Sequence, residues 1–462
     1  MKLDYAHPQL RREVGLPGAV MLGLGSILGT GVFVSLPLKT AEAGLWIIPA
    51  IVIAGLVALC NALSSAQLAA AHPVSGGTYE YGYQYLNPWA GFVAGWTFLL
   101  AKSASAATAA LAVGAFALAV VDAQPLTPPS DSVRGLASVF WTTTRAPLVL
   151  ALPGTIAVML LVLTGLRRSS AANAVLVTMS VLGLSTLIAV SYVSRTLQMP
   201  ITERSWPGGG PDSILPLAAW AFVAFTGYGR IATMAEEVRS PRRTIPRAVY
   251  ATLGISLILY VCLAIAVMRS YYFTAMSGEG EPAPATAILY AVPVDLYYRS
   301  ETAGRMLRLF VALSAIAAML GVLLNLILGL SRVWLAMARR GDAPSILARI
   351  NARTSTPGPA VVLTGLLIAS LVLVGDVRLT WSFSAFTVLI YYAITNWAAL
   401  RLPVDARLYP RWVAWCGLVA CLSLAWFVEW RVWAVGVALI AVGLLWRVAW
   451  RKLVLRVKVK AA

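Results

Sequence analysis

The chain has 462 residues, of which 60% are hydrophobic and 12% charged, and its mean hydropathy is +0.80. That balance excludes a soluble globular domain and implies a chain that crosses a bilayer repeatedly. The formal net charge of +18 raises nucleic-acid binding as a class, so the placement of the basic residues has to decide.

A membrane span needs about 20 mostly apolar residues. Twelve runs qualify in chain order: 16–36, 45–71, 89–121, 148–166, 171–190, 214–235, 248–268, 306–334, 360–374, 379–400, 412–427 and 433–450, the ninth and eleventh being short. None alternates with the dyad period of a barrel strand, so the class is an all-α membrane protein. With both ends cytoplasmic, Lys and Arg favour the inside segments by about two to one, which is the positive-inside pattern. The charge is then spread over many short cytoplasmic segments rather than one patch, and no nucleic-acid partner is expected. The first residues carry mixed charge and lead straight into paired spans, so no cleavable leader is expected.

The first span contains "GSILGTGVF", with glycines at 25, 29 and 31. Each costs about 1 kcal/mol in a helix interior relative to alanine. Irregular backbone at membrane depth survives only when buried in protein or lining a cavity. A break there frees N–H groups at the start of the outer half-helix and carbonyls at the end of the inner half. The first set suits an anion, the second a cation, and a free α-amino acid presents both. Small-residue spacing from Gly25 to Gly29 also serves close helix packing, so one break alone decides nothing. The sixth span, "AFVAFTGYGRIATMAEEV", carries a second interruption at Gly227 and Gly229. Paired breaks at corresponding positions of two halves point to an inverted-repeat transporter with a midplane site.

Four segments carry a resemblance: "GLGSILGTGVFVSLP", "SSAQLAAAHPVSGGTYEY", "FVAFTGYGRIATMAEEVRSPRRTIPRA" and "SRVWLAMARRGDAPSILARINARTSTPGPA". Together and in this order they resemble the amino acid–polyamine–organocation transporter superfamily, in particular its cationic-amino-acid-transporter-like bacterial branch. The resemblance implies a LeuT-like five-plus-five inverted repeat with discontinuous helices 1 and 6 plus two C-terminal helices. The segments would be a cytoplasmic N-terminus (1–15), repeats at 16–190 and 214–400, two further helices (411–450) and a basic tail (451–462).

The resemblance also implies a site. The substrate carboxylate would meet N–H groups around Gly29, Thr30 and Gly31, and the ammonium would meet carbonyls near Ser26, Ile27, Phe225 and Thr226, with the break at Gly227. Tyr228 or Phe225 would form a lid or side wall. Thr30 bonding back to its own helix and aromatics serving as packing are the plainer alternatives. The sequence departs from relatives in three places. The fifth span has no basic residue where several proton-coupled relatives carry a lysine, Gln67 stands where a glutamate is frequent, and Gly229 with Arg230 follows the sixth-helix glycine.

Lys102, in the third span, is an intramembrane ionisable group and hence a functional candidate. It is expected to titrate or form an ion pair during transport, the alternative being static support of broken-helix carbonyls. Arg230 is expected to pair with Glu237, seven residues on along one helix face, as an inner gate. No acidic residue falls at mid-depth: Glu42 and Asp122 lie at outer span ends, Glu236 and Glu237 at an inner one. A cationic side chain beside Lys102 would lack a counter-charge, so a neutral amino acid comes first and an acidic one second. Transport would be proton-coupled or exchange, across the cytoplasmic membrane, by alternating access. The apolar patch in the loop at 269–305 could lie across the outer vestibule.

Two histidines and four cysteines offer no metal or nucleophile spacing, so neither an enzyme nor a cofactor is expected. The cysteines at 60, 262, 416 and 421 fall in spans and read as small packing residues, not a disulfide framework. A channel or a structural membrane subunit remains the rival class.

Overall fold

The computed structural model describes residues 10–121, 146–193, 210–276, 300–374, 377–428 and 430–461. The expected vestibule patch falls largely at 277–299, and Asp122 beyond 121, so both lie outside the described residues.

The first predicted span is interrupted as its glycines require. Helix α1 (Leu16–Ile27) stops at Leu28, whose backbone is extended, with φ −79° and ψ 90°. The chain rewinds through a π turn at Gly31–Ser35 into α2 (Leu36–Ala43). Helix α3 (Ile47–Ala71) leads to a short helix α4 (Thr78–Tyr85), which follows Gly76 and Gly77, both at positive φ. The long α5 (Pro88–Val121) carries Lys102. Then α6 (Ala146–Leu163) turns into α7 (Leu166–Val193) through Gly165, whose φ of +114° is rarely open to L side chains.

The second interruption divides α8 (Ile214–Phe225) from α9 (Gly229–Thr233) by a single 3₁₀ turn at Thr226–Tyr228. A second 3₁₀ turn at Ala235–Glu237 ends this segment before α10 (Pro241–Met276). The chain continues with α11 (Glu301–Arg339), α12 (Gly358–Val374), α13 (Val377–Leu400), α14 (Arg411–Trp426) and α15 (Trp430–Ala461).

Among the described residues, seven helices are long and apolar enough to cross a membrane, and five shorter apolar helices accompany them. Helix α11 packs along α5 and α7, and α13 along α5, while α1 packs against α7, α10 and α11, and α8 against α3. Small residues permit this packing: Ala54, Ala58, Ala62, Ala66, Ala106 and Ala109 are all fully buried. Large apolar side chains such as Leu160, Leu366, Trp426 and Leu445 stand outward at more than half exposure, as a lipid-facing surface requires.

The segment just before α1 is tied down at residues 13 and 14. The N–H groups of Glu13 and Val14 both donate to the Glu237 carbonyl at 3.0 Å, and Arg239 N–H donates to Val14 O at 2.8 Å. These bonds form a short bridge between Val14 and Val238.

Candidate substrate site

The two interruptions meet backbone to backbone. Gly227 lies so close to the Ser26 carbonyl and the Ile27 side chain that a Cβ there would overlap both. A Cβ on Gly31 would sit 2.7 Å from Ala224 Cβ and 2.9 Å from its Cα. Glycine at these positions is therefore a condition of contact between the two breaks, beyond any propensity for breaking a helix.

The freed groups follow the polarity expected of broken helices. In the half-helix that follows the first break, Val32 and Phe33 N–H bond back to Gly29 O at 3.1 and 3.0 Å. Gly29, Thr30 and Gly31 thus precede the first completed turn, and their N–H groups are the orphan donors of the half-helix. The carbonyls at the C-terminal ends of α1 and α8 converge on one hydroxyl. Tyr260 of α10 donates to Ile27 O at 3.0 Å and to Ala224 O at 2.9 Å. A phenolic hydroxyl has a single hydrogen, so two acceptors from two different helices share one donor. Tyr392 of α13 donates to the next free carbonyl, Thr226 O, at 2.9 Å.

Lys102 enters the same place from α5. Its ammonium donates to Thr226 Oγ1 at 2.9 Å, while that hydroxyl donates to Val223 O at 2.8 Å. Lys102 is 7% exposed and lies in the buried interior, against the second break. Phe225 and Tyr228 are buried against the tyrosines that serve the carbonyls: Phe225 to Tyr260 with ring centres 4.8 Å apart, Tyr228 to Tyr392 at 5.0 Å. They form the wall behind the breaks.

At Gly25 a pair of amides closes the other flank. Asn173 of α7 donates to Met21 O at 2.9 Å, and Asn325 of α11 donates to Asn173 Oδ1 and to Gly321 O. A Cβ on Gly25 would meet Asn325 Nδ2 at 2.7 Å. The fifth span thus meets the first through a neutral amide, in the helix where a lysine is missing. Ser26 turns its hydroxyl back to Leu22 O at 2.8 Å, which leaves its carbonyl as the group facing Gly227.

The expected Arg230–Glu237 pair is not formed. Glu237 is held by Arg332 of α11 through two bonds, Nε to Oε1 at 2.9 Å and Nη2 to Oε2 at 3.0 Å, with both side chains essentially unexposed. The reason is local. A separation of seven residues shares a face only along a continuous α-helix, and α9 stops at Thr233 before a 3₁₀ turn. Arg230 instead contacts Thr233 Oγ1 at 3.1 Å and the Met234 sulfur. Gln67, for its part, accepts from Tyr409 N–H at 3.4 Å, in the segment between α13 and α14.

Glu236 anchors the segment before α1 at Leu10. It accepts Leu10 N–H at 2.8 Å and Ser75 N–H at 3.2 Å, and pairs with Arg339 at 3.1 Å. Burial opposes its charge, but Arg339 and the two N–H groups prevail and hold its carboxyl below the usual value. Tyr260, Tyr392, Asn173, Asn325 and Arg332 were not singled out from the sequence. Each is a polar group within a predicted span, Asn173 near the start of its helix and the others within apolar runs, and in a bilayer such a group requires a partner. Among the described residues, no group of three His, Cys, Asp or Glu has metal-binding geometry, and all four cysteines are free.

The comparisons agree with this architecture. The pattern of the amino acid permease family matches residues 14–442. An uncharacterized transporter of Mycobacterium tuberculosis (strain H37Rv) is 36% identical over 447 residues, covering 94% of this chain and 90% of its own length. The branched-chain amino acid permease BcaP of Bacillus subtilis is 26% identical, covering 75% of this chain and 71% of its own. Cationic amino acid transporter 2, vacuolar, of Arabidopsis thaliana is 28% identical over 87% of this chain and 62% of its own. Among solved structures, MhsT in complex with L-phenylalanine superposes with a TM-score of 0.68 at 15% identity, covering 91% of this chain and all of MhsT, which shows a shared LeuT-like fold. These relatives are transporters and not enzymes. The chain is a multi-pass amino acid transporter of the amino acid permease family, within the amino acid–polyamine–organocation superfamily.

Proposed function

We propose that the protein is a secondary active transporter that carries neutral amino acids across the cytoplasmic membrane by alternating access. The observation that carries this reading is the sharing of the Tyr260 hydroxyl between Ile27 O and Ala224 O. One donor for two helix-end carbonyls leaves acceptor capacity for an ammonium group, with the orphan N–H groups of Gly29, Thr30 and Gly31 at the outer half-helix for a carboxylate. A cationic side chain is disfavoured because Lys102 and Arg230 are buried at the second break, and among the described residues no carboxylate faces them at ion-pair distance. An acidic amino acid is the second reading, favoured by the same two cations. The name of BcaP fits a neutral cargo, that of the Arabidopsis relative a cationic one.

In this reading the chain makes twelve spans, N-in and C-in, with a five-plus-five inverted repeat at 16–190 and 214–400. Lys102 is the coupling residue, donating to Thr226 in one protonation state and releasing it in the other. That supports proton coupling or exchange. Purified protein in liposomes, given a panel of labelled amino acids under imposed pH or sodium gradients, tests the whole. Saturable uptake with stimulation by internal unlabelled substrate is expected of a carrier. Flux without exchange stimulation would indicate a channel and overturn the reading.

A further inference from the structure

Among the described residues, Arg230 is 4% exposed, its Nε has no hydrogen-bond acceptor, and its other nitrogens meet a threonine hydroxyl and a thioether sulfur. A guanidinium stays charged under any condition a protein meets, so burial without a carboxylate is costly. Arg230 lies against Gly329 of α11, one turn from Arg332 on the same helix, and Arg332 holds both oxygens of Glu237. Two arginines and one carboxylate are thus arranged so that only one cation is neutralised at a time.

We propose that Glu237 exchanges partners during the transport cycle, and that Arg230 is its second partner. The Arg332–Glu237 pair joins α11 to the segment 229–237 and keeps the pathway shut on the face of the N-terminal segment. The Arg230–Glu237 pair lies within that segment alone. Winding the 3₁₀ turn at Ala235–Glu237 into the end of α9 brings the two onto one helical face, seven residues apart. The segment is then detached from α11 without leaving Glu237 unpaired. Arg230 acts as a positioning residue: it stabilises the open form with a bond that the closed form cannot make. The inference rests on alternating access but not on the identity of the cargo.

The test uses a cysteine reporter at Ala336, a buried α11 position between Arg332 and Arg339, in full-length protein whose native cysteines are replaced. A membrane-impermeant maleimide is applied from the face of the N-terminal segment. Arg230→Gln is expected to slow labelling about tenfold, the scale of one coupled charge pair, Arg230→Lys to retain most of it, and Arg332→Gln to accelerate it. In a Glu237→Gln background, Arg230→Gln should have no further effect. An equal drop in both backgrounds, or an unchanged labelling rate with Arg230→Gln, overturns the proposal. If Arg230→Gln does not fold, Arg230→Lys is compared in the two backgrounds, and a small drop confined to the Glu237 background is the supporting result. Labelling needs no substrate, so failure of the gate and failure of the amino acid reading are separate outcomes.

Discussion

Lys102 and Thr226, 124 positions apart in the chain, are joined by a 2.9 Å bond at the point where the second broken helix changes pitch. The hydroxyl that accepts from the ammonium already donates its one hydrogen to Val223 O, so toward the lysine it can act only as an acceptor. The ammonium makes this a charge-assisted bond at the break, stronger than the one a neutral amine would make. Replacement by methionine keeps the length of the side chain and removes the donor. Lys102→Met is expected to abolish the stimulation of uptake by an inward proton gradient while substrate still binds, with a loss of net uptake of at least about tenfold if the bond contributes what a charged donor commonly does. Equal proton dependence in wild type and variant would remove Lys102 from coupling.

The glycines make a steric prediction. A methyl group on Gly31 would fall 2.7 Å from Ala224 Cβ and 2.9 Å from Ala224 Cα, and the backbone of a buried helix cannot withdraw as a flexible side chain can. Gly31→Ala is expected to destabilise the protein by about 1–3 kcal/mol, the range for overpacking a core, and to reduce transport by separating the breaks. Ala224→Gly should restore part of the loss in the double variant, measured by thermal melting and by counterflow. Absence of any rescue would show that the contact is not what limits the variant.

Much of this site was legible from residue order. Glycine clusters inside two apolar runs gave both breaks, because a weakened helix centre has few other uses in a bilayer, and Lys102 stood out as a charge among alanines. The residues that satisfy the breaks were harder to read. Tyr260 and Tyr392 look like ordinary aromatic packing in sequence, and only the fold shows their hydroxyls aimed at carbonyls of distant helices. The partner of Glu237 was misread for a related reason. A heptad spacing assumes an unbroken helix, and the segment after the break changes to 3₁₀ pitch within those seven residues. The long-range alternative, Arg332, is a charge within a predicted span and so calls for a partner, but that partner lies 95 positions away and nothing local names it.

Tyr260 offers a test of the ammonium site. Removing its hydroxyl leaves Ile27 O and Ala224 O both short of a donor, at a cost of about 1–3 kcal/mol for a buried unsatisfied group. Tyr260→Phe is expected to melt earlier than wild type when empty. A bound amino acid supplies the missing donors through its ammonium, so the rise in melting temperature at saturating substrate should be larger in the variant. A deaminated analogue, which keeps the carboxylate alone, should not produce that extra rise. If both ligands stabilise wild type and variant equally, the ammonium does not sit at these carbonyls.

The attachment of the segment at Leu10 should depend on acid in a definite sense. Glu236 is driven toward higher values by burial, but its bonds to Arg339, Leu10 N–H and Ser75 N–H outweigh that and set its carboxyl below the reference value of 4.5. A carboxylate with a lowered folded value adds stability that is complete above the reference value and is lost as pH falls through the folded one. Hydrogen exchange at the Leu10 amide, corrected for its intrinsic pH dependence, should therefore show constant protection from neutral pH down to about that reference and then a loss below it. Glu236→Gln keeps the size of the side chain but not its charge. It should expose the Leu10 amide already at neutral pH and leave no acid step. An acid step that persists unchanged in the variant would assign the attachment to another group, such as the Glu13 pair with Arg167, whose arginine is 82% exposed and contributes little.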